Sequence, residues 1–318
     1  MILATTTADL SRYAETLADC VRLFEETGFR HLDLNLYRRI YQGSPLLDER
    51  WDREVGEAAE AAAALNIRFC QAHAPDGKLF GTDEAFDVFL NATVRSIETC
   101  ARLGIPNIVV HQQDIGGYPS RDYRRLNLQR NRDFFVRLFP AMERTGVHVL
   151  IENSCDRHAP TPQQNVRHFP STAAELLELA EFIDHPLLQI CWDTGHANIQ
   201  GVDQYQSLIE LGDQLRAVHI ADNYGDMDSH VAPYQGTTNL DAVMQGLLDI
   251  GYAGAFTFEA SNILRNGGAW PNFRREWTHQ GEKVTRLMHV PVALKQQAVA
   301  LLYQIGRHVL TEYGCFEG

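Results

Sequence analysis

The chain repeats one pattern eight times: a short apolar or β-branched run, a polar turn, and a segment in which apolar residues recur with helical spacing. The strand-like runs lie at 2–7, 31–37, 68–74, 107–113, 148–154, 187–193, 215–223 and 254–261. The helix-like segments lie at 9–27, 48–65, 83–103, 121–145, 171–183, 203–213, 239–250 and 290–312. Because parallel strands need long crossovers, usually helices, this alternation predicts an α/β fold.

Eight such units favour a closed (β/α)8 TIM barrel. The main alternative is an open doubly wound sheet, which usually carries a Gly-rich phosphate loop after its first strand. Here the first strand leads into TTTADLS, which contains no glycine. No composition break divides the chain, so we predict a single barrel domain over 1–318. Two connections are long, at 153–170 and 261–289, and we expect extended loops after strands 5 and 8.

Composition narrows the classes of partner. Asp and Glu number 41 against 28 Lys and Arg, and this charge of −13 argues against an extended surface for nucleic acid or anionic membrane. The N-terminus lacks the pattern of a signal peptide, and no apolar run is long enough to span a membrane. The six cysteines form no C-x-x-C pair. We therefore predict a cytoplasmic protein with reduced thiols that binds a small molecule.

Polar side chains end six of the predicted strands, namely His73, His111, Glu152, Asp193, His219 and Glu259. In a barrel the C-terminal ends of all strands converge on one mouth, where catalytic residues lie. Side chains alternate along a strand, so Asp193 faces the barrel axis if Trp192 packs on the helices. The same alternation turns His219 and Glu259 inward. We expect these six residues to meet in space.

Three carboxylates and one imidazole of this group form a candidate site for one divalent cation: Glu152, Asp193, His219 and Glu259. Oxygen-rich ligands with one nitrogen suit Mn²⁺, our first choice, and also Mg²⁺ or Co²⁺, while Zn²⁺ stays open. Without a cation, three converging carboxylates would repel one another. The alternative interpretation treats each residue as an independent polar strand end near solvent.

Seven motifs carry a resemblance to a known family: HAP at 73–75, IEN at 151–153, WDTGHAN at 192–198, VHIADN at 218–223, HVAPYQGTTNLDAV at 230–243, GYAG at 251–254 and FTFEA at 256–260. With them the chain resembles the xylose isomerase-like TIM barrel superfamily, and within it the sugar isomerase/epimerase branch. The resemblance implies that the four candidate ligands hold one metal ion. It also implies a sugar or sugar derivative as substrate and leaves room for a homo-oligomer.

The chemistry implied by the resemblance is proton abstraction next to a carbonyl through an enediolate. Glu152 and Glu259 would lie on opposite faces of the substrate and act as acid and base as well as ligands. Substrate contacts are predicted for His73, His111, His196, Asp222 and His230, with capping or loop roles open for His196 and Asp222. Further candidates in loops at the mouth are Arg157, Arg167, Tyr37, Tyr118, Tyr224 and Trp270, for which solvated charge or ordinary packing is the alternative.

Three alternatives remain open. The type-IV apurinic endonucleases of the same superfamily bind three zinc ions, and this chain has every residue type of their pattern: His73, His111, Glu152, Asp193, His196, His219, Asp228, His230 and Glu259. The charge of −13 and the lack of an Arg/Lys-rich set interleaved with aromatics weigh against that function. Keto-sugar lyases or dehydratases, including C-glycoside-cleaving ones with a small partner subunit, would use the same site. A non-catalytic sugar-binding protein is the third alternative.

Overall fold

The computed structural model describes residues 1–77, 83–114, 121–156, 168–269, 271 and 273–317. Eight parallel strands follow one another in chain order around a closed barrel, and the eighth strand pairs with the first. The strands are β1 Leu3–Thr6, β2 His31–Asn35, β3 Arg68–His73, β4 Asn107–Val109, β5 His148–Glu152, β6 Leu188–Asp193, β7 Leu215–Ile220 and β8 Phe256–Phe258. The predicted (β/α)8 barrel is confirmed, and the extent of a single domain over 1–318 stays a prediction.

The α-helices of the described residues pack outside this barrel: α1 Leu17–Arg22, α2 Arg50–Ala64, α3 Asp83–Leu103, α4 Arg121–Phe135, α5 Phe139–Thr145, α6 Ala173–Ile183, α7 Thr194–Gln200, α8 Gln204–Leu211, α9 Leu240–Asp249 and α10 Val292–Glu312. None of the described helices has the length and apolar character needed to cross a membrane.

Two helix predictions differ from the structure, and one helix was not predicted. Of the predicted helix over 9–27, only Leu17–Arg22 is α-helical, because the backbone is extended at Ala14 and α1 begins after Thr16, whose hydroxyl accepts from Asp19 N at 3.0 Å. The segment 121–145 divides into α4 and α5, and Pro140 lies in the first turn of α5, where its missing N–H costs nothing. Helix α7 was not predicted and begins directly after Asp193, whose carboxylate caps it by accepting from His196 N.

The inside of the barrel is apolar on one side and polar on the other. Val109, Leu150, Cys191 and Ala217 form a small buried cluster on the strands β4 to β7. On the opposite strands the interior positions carry Asp33, Gln71 and Thr257, all buried. The Thr257 hydroxyl donates to Gln71 Oε1 at 3.2 Å. Trp192 belongs to the large outer core and donates to Gln204 of α8, so the predicted alternation along β6 is observed.

Both long connections follow the C-terminal ends of their strands, β5 and β8. The chain between β5 and α6 includes residues 157–167, which lie outside the described part. The connection from β8 to α10 contains an antiparallel pair that was not predicted, β9 Thr278–His279 and β10 Glu282–Lys283.

Gly306 of α10 lets this last helix lie directly on the barrel. A Cβ at this position would come within 2.5 Å of Leu3 Cδ1 and 2.6 Å of Phe258 Cε2. We expect Gly306→Ala to lower the free energy of unfolding by about 1–3 kcal/mol, because overpacking outweighs the better helix propensity of alanine. Chemical denaturation measures the change.

The matched control is Gly56→Ala in α2, where the nearest atom to a new Cβ is the flexible end of Arg102 at 3.4 Å. At this position alanine improves helix propensity without a steric clash. We therefore expect Gly56→Ala to raise the free energy of unfolding by about 0.5–1 kcal/mol. Equal effects of the two substitutions would contradict the close packing of α10 on β1 and β8.

Candidate metal centre

Four of the strand-end residues meet at the C-terminal mouth of the barrel. Glu152 and Asp193 are the last residues of β5 and β6, His219 lies near the end of β7, and Glu259 directly follows β8. One ligand atom from each of the four lies within 4.8 Å of the others. His219 Nδ1 is 2.5 Å from Glu152 Oε1 and 3.6 Å from Glu259 Oε2. The predicted ligand set is therefore assembled, and its role in binding a metal stays a prediction.

The environment of Asp193 tests whether these residues fit a cation. The side chain is fully buried, and burial raises the pKa of its carboxyl to about 6. Its Oδ1 accepts from His196 N at 2.6 Å, but its Oδ2 has no hydrogen-bond partner among the described residues. A buried carboxylate oxygen without a donor is costly unless a cation meets it. The donor set and this oxygen together fit a divalent cation.

Glu152 has an imidazole at each carboxylate oxygen. His219 approaches Oε1, and His111 Nε2 lies 2.7 Å from Oε2. Burial by itself raises the pKa of Glu152, but the two imidazoles outweigh it and hold this pKa well below its ordinary value. Glu152 is therefore the best-partnered carboxylate of the centre.

A second group shares Glu152 with the first. His73, at the end of β3, has its Nε2 3.1 Å from His111 Nε2 and 3.9 Å from Glu152 Oε2. Its Nδ1 lies 2.9 Å from the carbonyl of Ala74, which can only accept, so Nδ1 carries the hydrogen. Burial, with His111 alongside, lowers the pKa of His73 to about 4. His73 is therefore neutral and directs an Nε2 lone pair at His111 and Glu152, which suits a metal ligand as well as a substrate contact.

A third group lies on α7 and in the loop after β7. Nε2 of His196 and Nε2 of His230 lie 3.4 Å and 2.8 Å from one oxygen of Asp228. Their Nδ1 atoms contact the carbonyls of Asn153 and Glu259 at 2.7 Å and 2.9 Å and donate to them. Each Nε2 that faces Asp228 therefore needs a proton or a cation. Burial lowers the pKa of His230, but Asp228 outweighs it and raises this pKa to about 10.

The backbone of the centre is held by amide side chains that the sequence interpretation missed. Gln112 pairs with both polar groups of the Glu152 backbone, at 2.6 Å to the carbonyl and 3.2 Å from the N–H. Asn153 does the same for Asp193, at 2.9 Å and 2.7 Å. Gln112 follows His111 in the chain and binds the backbone of Glu152 on the next strand. Asn153 follows Glu152 and binds the backbone of Asp193 on the strand after that. The Asn of the IEN motif is the signal that could have indicated this role.

The remaining predicted substrate-contact residues differ in their surroundings. The Asp222 carboxylate accepts from the N–H groups of Gly236 and Thr238 and thereby folds the loop after β7, so its substrate contact stays a prediction. Tyr37 packs edge-on against the rings of His73 and His111, whereas Tyr224 is exposed. Four further candidates lie outside the described residues: Tyr118, Arg157, Arg167 and Trp270.

The comparisons with known proteins agree with this fold. A family model described as the xylose isomerase-like TIM barrel matches residues 18–277. The chain belongs to this family. This chain superposes on a solved structure of a D-tagatose 3-epimerase-like protein with a TM-score of 0.68. The superposition covers 99% of this chain and 100% of the D-tagatose 3-epimerase-like protein. The two chains are 19% identical, so this likeness shows the fold.

Curated relatives match shorter stretches of this chain. An uncharacterized protein of Sinorhizobium fredii is 27% identical over 165 residues, 51% of this chain and 50% of that protein. Fructoselysine 3-epimerase of Escherichia coli O157:H7 is 30% identical over 94 residues, 30% of this chain and 34% of that enzyme. Probable endonuclease 4 of Geobacter sulfurreducens is 29% identical over 208 residues, 59% of this chain and 64% of that protein. This chain spans less than two thirds of the length of each.

The role of Gln112 can be tested by Gln112→Met, which keeps its length and removes both hydrogen bonds. The N–H and carbonyl of Glu152 then stay buried without these partners, so we expect the free energy of unfolding to fall by about 1–3 kcal/mol. Thermal and chemical denaturation measure the change.

The matched control is Gln245→Met on α9, where an exposed Gln245 amide donates to Asp249 at 2.7 Å. Its effect should stay within about 0.5 kcal/mol. A Gln112→Met variant as stable as this control would show that the amide does not secure the Glu152 backbone.

Proposed function

We propose that this protein is a divalent-metal-dependent sugar isomerase or epimerase that removes a proton next to a carbonyl. The observation that carries the proposal is the set Glu152, Asp193, His219 and Glu259, whose ligand atoms lie within 4.8 Å of one another at the mouth of the barrel. The relative named as fructoselysine 3-epimerase supports a sugar substrate.

These four residues would hold the cation, and Mn²⁺ suits their three carboxylates and one imidazole. A divalent cation in this place supplies electrostatic stabilisation of the negative charge that develops on the substrate oxygens. Around it, His73 and His111 present ring nitrogens at the β3 and β4 side of the mouth, where they can contact a sugar hydroxyl. His196 and His230 are placed to do so beside Asp228.

The two glutamates differ in access to a substrate. The side chain of Glu259 is 15% exposed, whereas that of Glu152 is 2% exposed and has an imidazole at each oxygen. We assign Glu259 as the group that takes the proton from the substrate carbon, because a base must reach the proton that it removes. Glu152 would return a proton on the other face; this proton would come from solvent through His111, whose side chain is 29% exposed and whose Nε2 lies 2.7 Å from Glu152 Oε2.

This assignment predicts that Glu259→Gln at saturating Mn²⁺ slows exchange of the substrate C–H proton with solvent by about 100-fold or more, because an amide cannot accept it. Glu152→Gln should instead lower formation of the epimer by a similar factor, because exchange on the Glu259 side needs only Glu259, whereas epimerisation needs a proton on the other face. Deuterium uptake from D₂O by a panel of ketoses and 3-keto sugars, followed by NMR, measures exchange. The same spectra separate an epimer from the elimination product that a keto-sugar lyase would form.

Glu312→Gln, an exposed site on α10, is the matched control and should exchange like the wild type. If Glu259→Gln and Glu152→Gln both retain full exchange, neither glutamate is the base. If the wild type exchanges no sugar in the panel while it binds metal, the isomerase proposal loses to the second candidate.

The second candidate is hydrolysis of a phosphodiester at a centre with three metal ions. One observation favours it: two further groups of ligands, His73 with His111 and His196 with His230, adjoin the central set. The relative named as probable endonuclease 4 supports this candidate. The charge of −13 weighs against a DNA substrate.

Metal stoichiometry distinguishes the two candidates. The isomerase proposal predicts about one Mn²⁺ per chain, lost in Asp193→Asn and kept in His230→Gln, because Asp193 belongs to the central set and His230 does not. Elemental analysis after dialysis measures the content. A content near three zinc ions that falls in His230→Gln would favour the nuclease, and abasic DNA would become the substrate to assay.

A further inference from the structure

Two buried polar groups face each other inside the barrel, below the candidate metal centre. Asp33 of β2 is fully buried, and neither of its carboxylate oxygens has a hydrogen-bond partner among the described residues. His219 is also fully buried, and its Nε2 is likewise without a partner in that part of the chain. The distance from His219 Nε2 to Asp33 Oδ2 is 3.8 Å. A donor and an acceptor that both lack partners in the core are therefore almost in contact.

The tautomer of the His219 imidazole indicates a role for the pair that it forms with Asp33. His219 directs Nδ1 at Glu152 and Glu259, so Nδ1 is the nitrogen on the side of the cation. A neutral imidazole that offers its Nδ1 lone pair carries its hydrogen on Nε2. That N–H points into the barrel, where an acceptor must fix the ring, since metal-binding histidines nearly always donate their second ring nitrogen to such a group.

We propose that Asp33 is a positioning residue for the metal centre: its carboxylate accepts the Nε2–H of His219 and thereby holds the ring in the tautomer that presents Nδ1 to the cation. The inference rests on the proposed metal-dependent function. Gln71, the neighbour of Asp33 in the register of β2 and β3, has a buried amide nitrogen without a partner among the described residues. It supplies a donor on the β3 side of this polar interior.

The pair explains why an acidic residue lies in the barrel core. A buried carboxylate without donors is destabilising, and an apolar residue at position 33 would remove that cost. The carboxylate is useful there if a positive or hydrogen-donating group faces it. His219 Nε2 is such a group, and its approach to hydrogen-bond distance requires only a small shift of either ring or carboxylate.

The first test is the affinity of the full-length protein for Mn²⁺ alone, measured from the electron paramagnetic resonance signal of free Mn²⁺. We expect Asp33→Asn to weaken binding by about 10- to 100-fold, the usual effect of removing the partner of a metal-binding histidine. Asp9→Asn is the matched control. It makes the same change at a buried carboxyl that hydrogen-bonds Thr5, and its Mn²⁺ affinity should stay close to that of the wild type.

The second test does not depend on a variant at position 33. In ¹⁵N-labelled wild-type protein loaded with Zn²⁺, His219 should show a protonated Nε2 whose hydrogen is protected from exchange and appears far downfield. The signal is assigned by its loss in His219→Gln. If Asp33 has a merely structural role, the Nε2 hydrogen of wild-type His219 is not protected, and Asp33→Asn leaves the metal affinity unchanged.

Each outcome decides a different point. Weaker Mn²⁺ binding by Asp33→Asn than by Asp9→Asn, with a protected Nε2–H, supports the role of Asp33. Equal affinity of Asp33→Asn and the wild type, or an unprotonated Nε2 in the Zn²⁺ protein, overturns it while the metal centre stands. Failure of the wild type to bind Mn²⁺ or Zn²⁺ overturns the metal centre itself and, with it, this inference.

Discussion

The mouth of the barrel brings several carboxylates and imidazoles into one small buried volume, and the local structure around it serves to keep them there. Like charges at this distance repel, and burial adds a desolvation cost to each. Imidazoles meet carboxylates in alternation: His219 and His111 at Glu152, and His230 at Asp228. Among the described residues at the mouth, the carboxylate oxygens Asp193 Oδ2 and Asp228 Oδ1 stay buried without a hydrogen-bond partner, and a cation at the central set would satisfy Asp193 Oδ2.

Three strand-end residues, His111, Glu152 and Asp193, are each followed by a polar residue that hydrogen-bonds the backbone of the next strand. Gln112 holds the backbone of Glu152, and Asn153 holds the backbone of Asp193. Thr194 continues the series, since its hydroxyl donates to the carbonyl beyond β7 and accepts from the N–H of Ala221 at 3.1 Å. These bonds extend the strand ladder past its ordinary end, where the backbone would otherwise be free to fray. The ends of β5, β6 and β7 are thereby tied to their neighbours at the mouth.

The interior of the barrel is apolar on one side and polar on the other, and the polar side lies below the candidate metal centre. On the β4 to β7 side, Leu150 and Cys191 fill the space below the mouth with apolar atoms. On the other side, Asp33 and Gln71 place buried polar groups below His219. A barrel that needed only stability would fill both sides with apolar side chains. The polar half is therefore best understood as support for the centre, and the same scaffold would serve sugar chemistry or phosphodiester hydrolysis, depending on how many of the three ligand groups hold a metal.

Local sequence patterns determined the barrel and the residues at its mouth. Helix α3 has the predicted bounds of 83–103, because a long amphipathic segment needs no distant partner to be identified. Alternation along β6 correctly turned Asp193 inward, since the side-chain period of a strand is a local property. Only the tertiary structure showed that α1 is short, that the amides of Gln112 and Asn153 hold neighbouring strands, and that Asp33 faces His219. Those features depend on contacts between strands far apart in the chain, and spacing along one segment carries no information about which groups closure of the barrel brings face to face.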